Sequence, residues 1–399
     1  MAKVRILTIF ILGLFFFILS NSYYAHNGSD PKTYYNIINS SSGQINQIRK
    51  DSISNMDTIK IAGIDANKMK RNNLNFIFFL SNKNKLITNY ESHYTKGEYI
   101  CTWDIKDGER KTFAYMGDDV WVLCMALSHD ENYIIVATMK KYSRQLKCYS
   151  IIEEKLMWEI KDLDDIDCLS FSSNDKEIIA VGNDAVYKID SKKGSVLKDI
   201  ETIRDLYPQH SHISTWSFIS KSGKYLVIWQ VQPVWSIIDI FRSSANKKIS
   251  VWDIENERII ASLELPLGGI RTATFSDDER SVFLGSKEEI LLWDLETNKI
   301  TKRIPGRSIY MLTNKAKRIL AAALDGKESF ELFIWEYPYD KLKFIITPFA
   351  TNYSNEGKMP VNFDKTGNYC AIERGGILFL YDTKDWNVLW RVKTDKDVR

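Results

Sequence analysis

The chain has 399 residues, of which 44% are hydrophobic and 13% aromatic, enough for a large packed core. The 54 basic side chains nearly balance the 51 acidic ones, which excludes the strongly basic surface that nucleic-acid binding requires. Eight prolines and 19 glycines exclude a low-complexity chain.

The first 25 residues have the order of an export signal. Lys3 and Arg5 precede an apolar run over residues 6–19, and small or polar residues follow at 20–22. This order is typical of a secretory signal that is cleaved after residue 22. The alternative is an uncleaved anchor helix that continues to residue 25. Both predict an exported protein (secreted, periplasmic or lumenal), with membrane contact only through this segment if it is not cleaved.

Residues 26–55 are expected to form a flexible tether, because residues 36–47 are mostly Asn, Ser, Ile and Gln without a clear period. The folded domain is predicted over residues 56–399. Thr58–Ala62 has the pattern of a strand, which either completes the last repeat or pairs elsewhere.

From residue 74 onwards, a repeating unit ends each time in an aromatic residue at the close of an apolar strand. Most of these aromatic residues are about 40 residues apart, and an acid usually follows. About 20 residues before each of them, an apolar residue enters a short polar turn, which is typical of a hairpin. The aromatic residues are Trp103, Tyr149, Tyr187, Trp252, Trp293, Trp335 and Tyr381.

These two features predict four-stranded blades that cannot bury both faces alone and must stack on one another. In each blade the aromatic residue would be the wedge that fills the space between neighbours. The prediction is an all-β, seven-bladed β-propeller after an N-terminal signal or anchor helix and a short tether.

The units resemble the WD-repeat family over roughly residues 74–396. The motifs that carry the resemblance are Cys101–Ile105, Ser250–Ile254 and Leu291–Leu295, each with a central Trp-Asp pair. The Gly-His pair that usually precedes the innermost strand in the family is missing. The resemblance therefore implies a divergent member, in which the family's hydrogen-bond tetrad is absent from most blades.

The predicted innermost strands carry little chemistry. Asp167 and Arg271 are their only charged residues, and they lie in non-adjacent blades. No phosphate-binding loop, paired-histidine motif or nucleophile elbow is present in the sequence, and the five cysteines lack metal-ligand spacing. We therefore expect no catalytic residues, no metal and no cofactor. Whether Cys124 and Cys168, at equivalent places in adjacent strands, form a disulfide stays open.

Two long insertions flank the fourth unit, one between Tyr187 and Ile219 and one between Ile219 and Trp252. In a blade of this kind both insertions emerge on one rim, where extra loops usually bind partners. Aromatic and histidine side chains there are candidate partner contacts. The candidates are Tyr207, His210, His212, Trp229 and Trp235.

Two other interpretations of the insertions are open. Trp235 and the apolar residues over 237–241 would also suit a longer strand or a small separate core. His210 and His212 would also suit a metal site.

The sequence as a whole favours a non-catalytic scaffold that binds a protein partner through its loop-bearing rim. The alternative is a small-ligand binder or an enzyme that uses the central channel, and a third possibility is a structural envelope component.

Overall fold

The computed structural model divides the chain into two compact units, Met1–Thr58 and Ile59–Arg399. All of the described residues belong to the second unit. The predicted signal or anchor segment, the tether and Thr58–Ala62 lie outside them. The structure describes residues 74–91, 97–163, 166–182, 185–200, 214–231, 247–265, 270–286, 289–305, 309–315, 318–324, 329–336, 341–350, 361–374 and 376–394.

The described strands form seven four-stranded antiparallel sheets, and each sheet takes four consecutive strands in chain order. The first two sheets contain β1 (Ile77–Leu80), β2 (Lys85–Glu91), β3 (Gly97–Asp104), β4 (Arg110–Asp118), β5 (Val120–Leu127), β6 (Tyr133–Lys140), β7 (Ser143–Ser150) and β8 (Lys155–Lys161). The third and fourth contain β9 (Ile166–Phe171), β10 (Glu177–Gly182), β11 (Val186–Asp190), β12 (Val196–Ile200), β13 (Ser214–Ile219), β14 (Tyr225–Val231), β15 (Lys247–Asp253) and β16 (Arg258–Leu265).

The remaining three sheets follow the same order. The fifth and sixth contain β17 (Thr272–Phe275), β18 (Ser281–Gly285), β19 (Glu289–Asp294), β20 (Lys299–Pro305), β21 (Ile309–Lys315), β22 (Arg318–Leu324), β23 (Ser329–Glu336) and β24 (Lys341–Ala350). The seventh contains β25 (Val361–Phe363), β26 (Tyr369–Arg374), β27 (Ile377–Asp382) and β28 (Val388–Lys393). The last sheet thus takes all four of these strands from its own segment of the chain.

Among the described residues the only helical element is the short 3-10 turn Ser81–Lys83, and no helix there is long and apolar enough to cross a membrane.

Neighbouring sheets contact each other through their first strands, as β5 contacts β9 and β17 contacts β21, so the first strands are the innermost.

Each sheet has two edges at which the chain turns. We call the edge with the connections between sheets and the turns between second and third strands the insertion edge. The opposite edge, with the turns between first and second and between third and fourth strands, is the hairpin edge.

The repeated aromatic residue of each third strand is buried in all seven sheets, as the sequence predicts. Trp252 packs with Ile179 and Val181 of the third sheet, and Trp335 packs with residues of the fifth. Each repeated aromatic residue that belongs to a hydrophobic cluster therefore packs against the preceding sheet. In five sheets a register shift between third and fourth strands falls immediately before the aromatic residue. A bulge of this kind turns the side chain out of the regular alternation.

Trp103 is the wedge between the first sheet and the last. It is fully buried in a cluster with Ala371, Leu378 and Leu380, and its indole NH donates to the Thr88 hydroxyl at 2.9 Å. That bond satisfies a polar group that burial would otherwise leave unpaired. Arg110 lies over the Trp103 ring and donates to the Thr394 carbonyl of the last sheet at 2.8 Å.

The acid after the repeated aromatic residue bonds to its own turn. Asp104 accepts a hydrogen bond from the Lys106 amide at 2.8 Å, and Asp382 accepts one from the Lys384 amide at 2.8 Å. This is the local pattern by which Asp stabilises a tight turn. The Trp-Asp pair therefore combines a wedge between sheets with a cap for the turn that follows.

A second tryptophan connects two of the neighbouring pairs of sheets. Trp158, on the outer strand of the second sheet, donates to the Ser191 carbonyl of the third at 2.8 Å. Trp390, at the equivalent place in the last sheet, donates to the Ile105 carbonyl of the first. Both rings lie against a glycine in the left-handed region, with φ of 68° at Gly194 and 74° at Gly108.

We predict that Gly194→Ala lowers the free energy of unfolding by about 1–3 kcal/mol. The new Cβ would lie 2.6 Å from the Trp158 ring, and the residue would keep a positive φ. Urea unfolding of the single variants and of the double variant with Trp158→Ala measures the coupling between the two positions. Strictly additive losses would show that the ring does not cause the effect.

Candidate interaction surface on the insertion edge

The two long insertions fall at the insertion edge of the fourth sheet, between β12 and β13 and between β14 and β15. Four of the predicted partner contacts, Tyr207, His210, His212 and Trp235, lie outside the described residues, and for them the prediction stands as made.

Trp229 is a core residue, so the prediction that it contacts a partner at the rim is wrong. Its side chain is 4% exposed and packs with Ile249, Ala273 and Leu284 between the fourth and fifth sheets. Its indole NH donates to the Ile270 carbonyl at 2.9 Å. The run of apolar residues in β14 already indicated a strand that is covered on both faces.

The innermost strands hold small polar groups rather than a charged cluster. Cys168 lies 3.4 Å from the Ser217 hydroxyl, sulfur to oxygen, across the third and fourth sheets. All five cysteines are free, Cys124 among them. Asp167 lies in β9 of the third sheet, and Arg271 immediately precedes β17 of the fifth. Among the described residues no group of three or more His, Cys, Asp or Glu side chains is placed to hold a metal ion.

At the hairpin edge the first turns of adjacent sheets are bonded by carboxylates. The Asp175 carboxylate accepts from the His129 and Asp130 amides of the preceding sheet at 2.9 and 3.0 Å. In the same way Glu131 accepts from the Asn82 amide at 2.9 Å, and Glu279 accepts from the Ser222 amide at 2.7 Å. Each of these three acids has a positive φ.

His129 and Lys365 extend these bonds across non-adjacent sheets. His129 places Nδ1 2.8 Å from the Asp175 carboxylate and Nε2 3.0 Å from the Lys221 carbonyl of the fourth sheet. Both partners are acceptors, so both bonds form together only when the ring carries two protons. Lys365 of the last sheet donates to the His129 carbonyl at 3.0 Å and pairs with Glu131 at 2.7 Å. The carboxylates of these turns, together with His129 and Lys365, are therefore bonded within the molecule.

The insertion edge exposes aromatic side chains on the second sheet. Trp121 is 60% exposed at the start of β5, and Tyr142 is 94% exposed in the turn between β6 and β7. Trp121 pairs with Met139 and Met139 with Arg144 across three strands, so the three side chains share one face of the sheet. We call residues 121 and 139–144 the second-sheet tip.

Beside this tip, the first sheet carries a row of tyrosines. The ring centroids of Tyr99 and Tyr115 are 4.9 Å apart, and those of Tyr90 and Tyr99 are 6.2 Å apart. Tyr115 is half-exposed and donates to Asp118.

Sequence reasoning missed both the tip and this row, because short connections carry no length signal. The available sign was a large apolar residue, Trp121, at a position of β5 that alternates with the buried Val120 and Val122.

Next to Tyr99 in β3 is a buried carboxyl group, that of Glu98, which is 2% exposed. Burial, with the nearby charge of Glu91, raises the pKa of Glu98 to about 8. The Val122 backbone of the second sheet and the Asn89 side chain partly offset this rise in the pKa. Glu98 therefore keeps its proton in the folded protein at neutral pH.

The position of Glu98 predicts a stability that falls as pH rises. In the unfolded chain the group ionises near its ordinary value of 4.5, whereas in the folded protein it keeps its proton to about 8. Between these values only the unfolded state releases the proton, so the free energy of unfolding should decline, by an amount on the order of several kcal/mol.

Glu98→Gln should remove this contribution. Urea unfolding at about pH 5, 7 and 9 checks it. Glu154→Gln, whose exposed carboxylate pairs with Lys111 at 2.7 Å, is the control and should retain the decline. An equal decline in the wild type and in Glu98→Gln would contradict the assignment.

Comparison with known proteins supports the fold and does not identify a family. No protein-family model matches the sequence, and no curated protein matches it. Among solved structures, it is similar to a chain described as "Crystal Structure of Mitotic Checkpoint Complex", with 14% sequence identity and a TM-score of 0.55. The alignment covers 83% of this chain and 90% of that chain. The similarity and the stacked four-stranded sheets show a β-propeller fold.

Proposed function

We propose that the protein is an exported, divergent member of the WD-repeat family that serves as a non-catalytic scaffold and binds a protein partner at its insertion edge. The seven four-stranded sheets and the contact of the last sheet with the first support a closed ring of seven blades. The order of residues 1–25 supports export.

The observation that carries the binding role is the second-sheet tip. Trp121 and Tyr142 are exposed, and Trp121 shares a face of the sheet with the partly buried Met139 and Arg144. Aromatic residues, Met and Arg are the types enriched where proteins bind one another, and Trp, Tyr and Arg contribute most of the binding energy. Burying an exposed tryptophan on binding removes a large apolar surface from water. Tyr207, His210, His212 and Trp235 would extend this surface along the same edge.

Free cysteines in this chain are compatible with an oxidising compartment outside the cytosol. Burial raises the pKa of Cys101 to about 11 and that of Cys148 to about 12. Because the thiolate is the reactive form, thiols of this kind resist oxidation in an oxidising compartment.

The test is capture of a partner by the tagged full chain from the exported protein fraction. Trp121→Ala with Tyr142→Ala should abolish capture, because the two anchors are removed. Replacing residues 232–246 by a short Gly-Ser link should weaken it. The control is Leu197→Ala with Leu389→Ala, which removes two exposed apolar side chains from outer strands and should leave capture unchanged. Full capture by the tip variant, with its circular dichroism and melting temperature intact, would reject the proposed surface.

A further inference from the structure

The turn of the second-sheet tip concentrates positive charge. Lys140, Lys141 and Arg144 lie within five consecutive residues that contain no acid, and both lysine side chains are exposed. Within the described part of the chain, no carboxylate pairs with Lys140 or Lys141. Because exposed ammonium groups keep their hydration until a ligand approaches, they are available for a charged partner.

Resting on the proposed scaffold function, we propose that the second-sheet tip binds an acidic segment of a protein partner in which apolar and acidic residues alternate. Trp121, Met139 and Arg144 form a row across three strands, with neighbouring strands about 4.8 Å apart. The pair Val120 and Lys140 forms the next rung, and Lys141 and Tyr142 form the turn beyond it.

Successive rungs of a sheet point to opposite faces, so Trp121 and Met139 lie on one face and Val120 and Lys140 on the other, with Lys141 in the turn beyond them. A segment that crosses this tip would meet apolar groups on one side and lysines on the other within about 10 Å, the span of three residues of an extended chain. An apolar residue of the segment would pack on Trp121 and Met139. Its acidic neighbours would point to the other side of the tip and face the two lysines, where charge complementarity increases the association rate and the specificity.

Charges next to the tip favour a narrow segment over an anionic membrane. Asp118 and Asp119 are exposed immediately before Val120, which pairs with Lys140. A flat anionic surface broad enough to cover the tip would meet these two acids and be repelled. A single extended segment that approaches from the side of Lys141 would not.

The test uses the full chain and a fluorescein-labelled decapeptide of alternating Asp and Leu, with binding followed by fluorescence anisotropy. Lys140→Glu with Lys141→Glu should weaken binding by about tenfold or more. Lys140→Gln with Lys141→Gln should cause a smaller loss and guards against misfolding of the reversed-charge variant. The matched control is Lys192→Glu with Lys193→Glu, an exposed lysine pair on the hairpin edge of the third sheet, which should stay within about twofold of the wild type.

Several results would overturn the proposal: no binding of the acidic peptide, equal binding of a Lys-Leu decapeptide, or an equal loss in the control variant. Binding to phosphatidylglycerol vesicles that depends on Lys140 and Lys141, without peptide binding, would assign the tip to a membrane instead. If the peptide does not bind but Trp121→Ala with Tyr142→Ala still abolishes partner capture, the scaffold function stands and only the partner chemistry is wrong. If that variant changes neither measurement, both proposals fail.

Discussion

Burial of one aromatic side chain per sheet against the preceding sheet is the interaction on which the rest of the structure depends. A four-stranded sheet has two faces, and a single sheet of this size cannot keep both dry. Trp252, Trp293 and Trp335 each fill the space to the sheet before them. Trp103 does the same between the first and last sheets, so the two ends of the repeat array stabilise each other.

The two edges of the sheets have different roles because their polar groups are satisfied differently. At the hairpin edge, Glu131, Asp175 and Glu279 bond to backbone amides of the neighbouring turn, and His129 and Lys365 bond across further sheets. Such groups contribute to order within the molecule and have few bonds left to offer a ligand. The insertion edge, with its exposed aromatic side chains, is the surface that we propose for recognition.

Two tryptophans show how far the candidate site could be predicted. Trp229 lies next to a long insertion, which suggested exposure, yet it sits on a second strand that is covered by sheets on both faces. Trp121 lies at a connection of a single residue, which gave no reason to single it out, yet it faces solvent at the end of an innermost strand. Loop length predicts where the chain leaves a sheet. It does not determine which side chains the neighbouring sheet covers.

The sequence by itself determined the repeat, most of the strand pattern, the first hairpin turn of six of the seven sheets and the burial of the seven repeated aromatic residues, because alternation and turn chemistry act over a few residues. In the sixth sheet the predicted turn at 312–314 lies within β21. Only the tertiary structure decided which distant residues meet, such as Lys365 with Glu131 or Trp390 with the turn at Gly108. It also decided that Glu98 loses its water between two sheets while Lys140 and Lys141 keep theirs. These outcomes depend on how neighbouring sheets pack, and packing between segments far apart in the chain leaves no local pattern in the sequence.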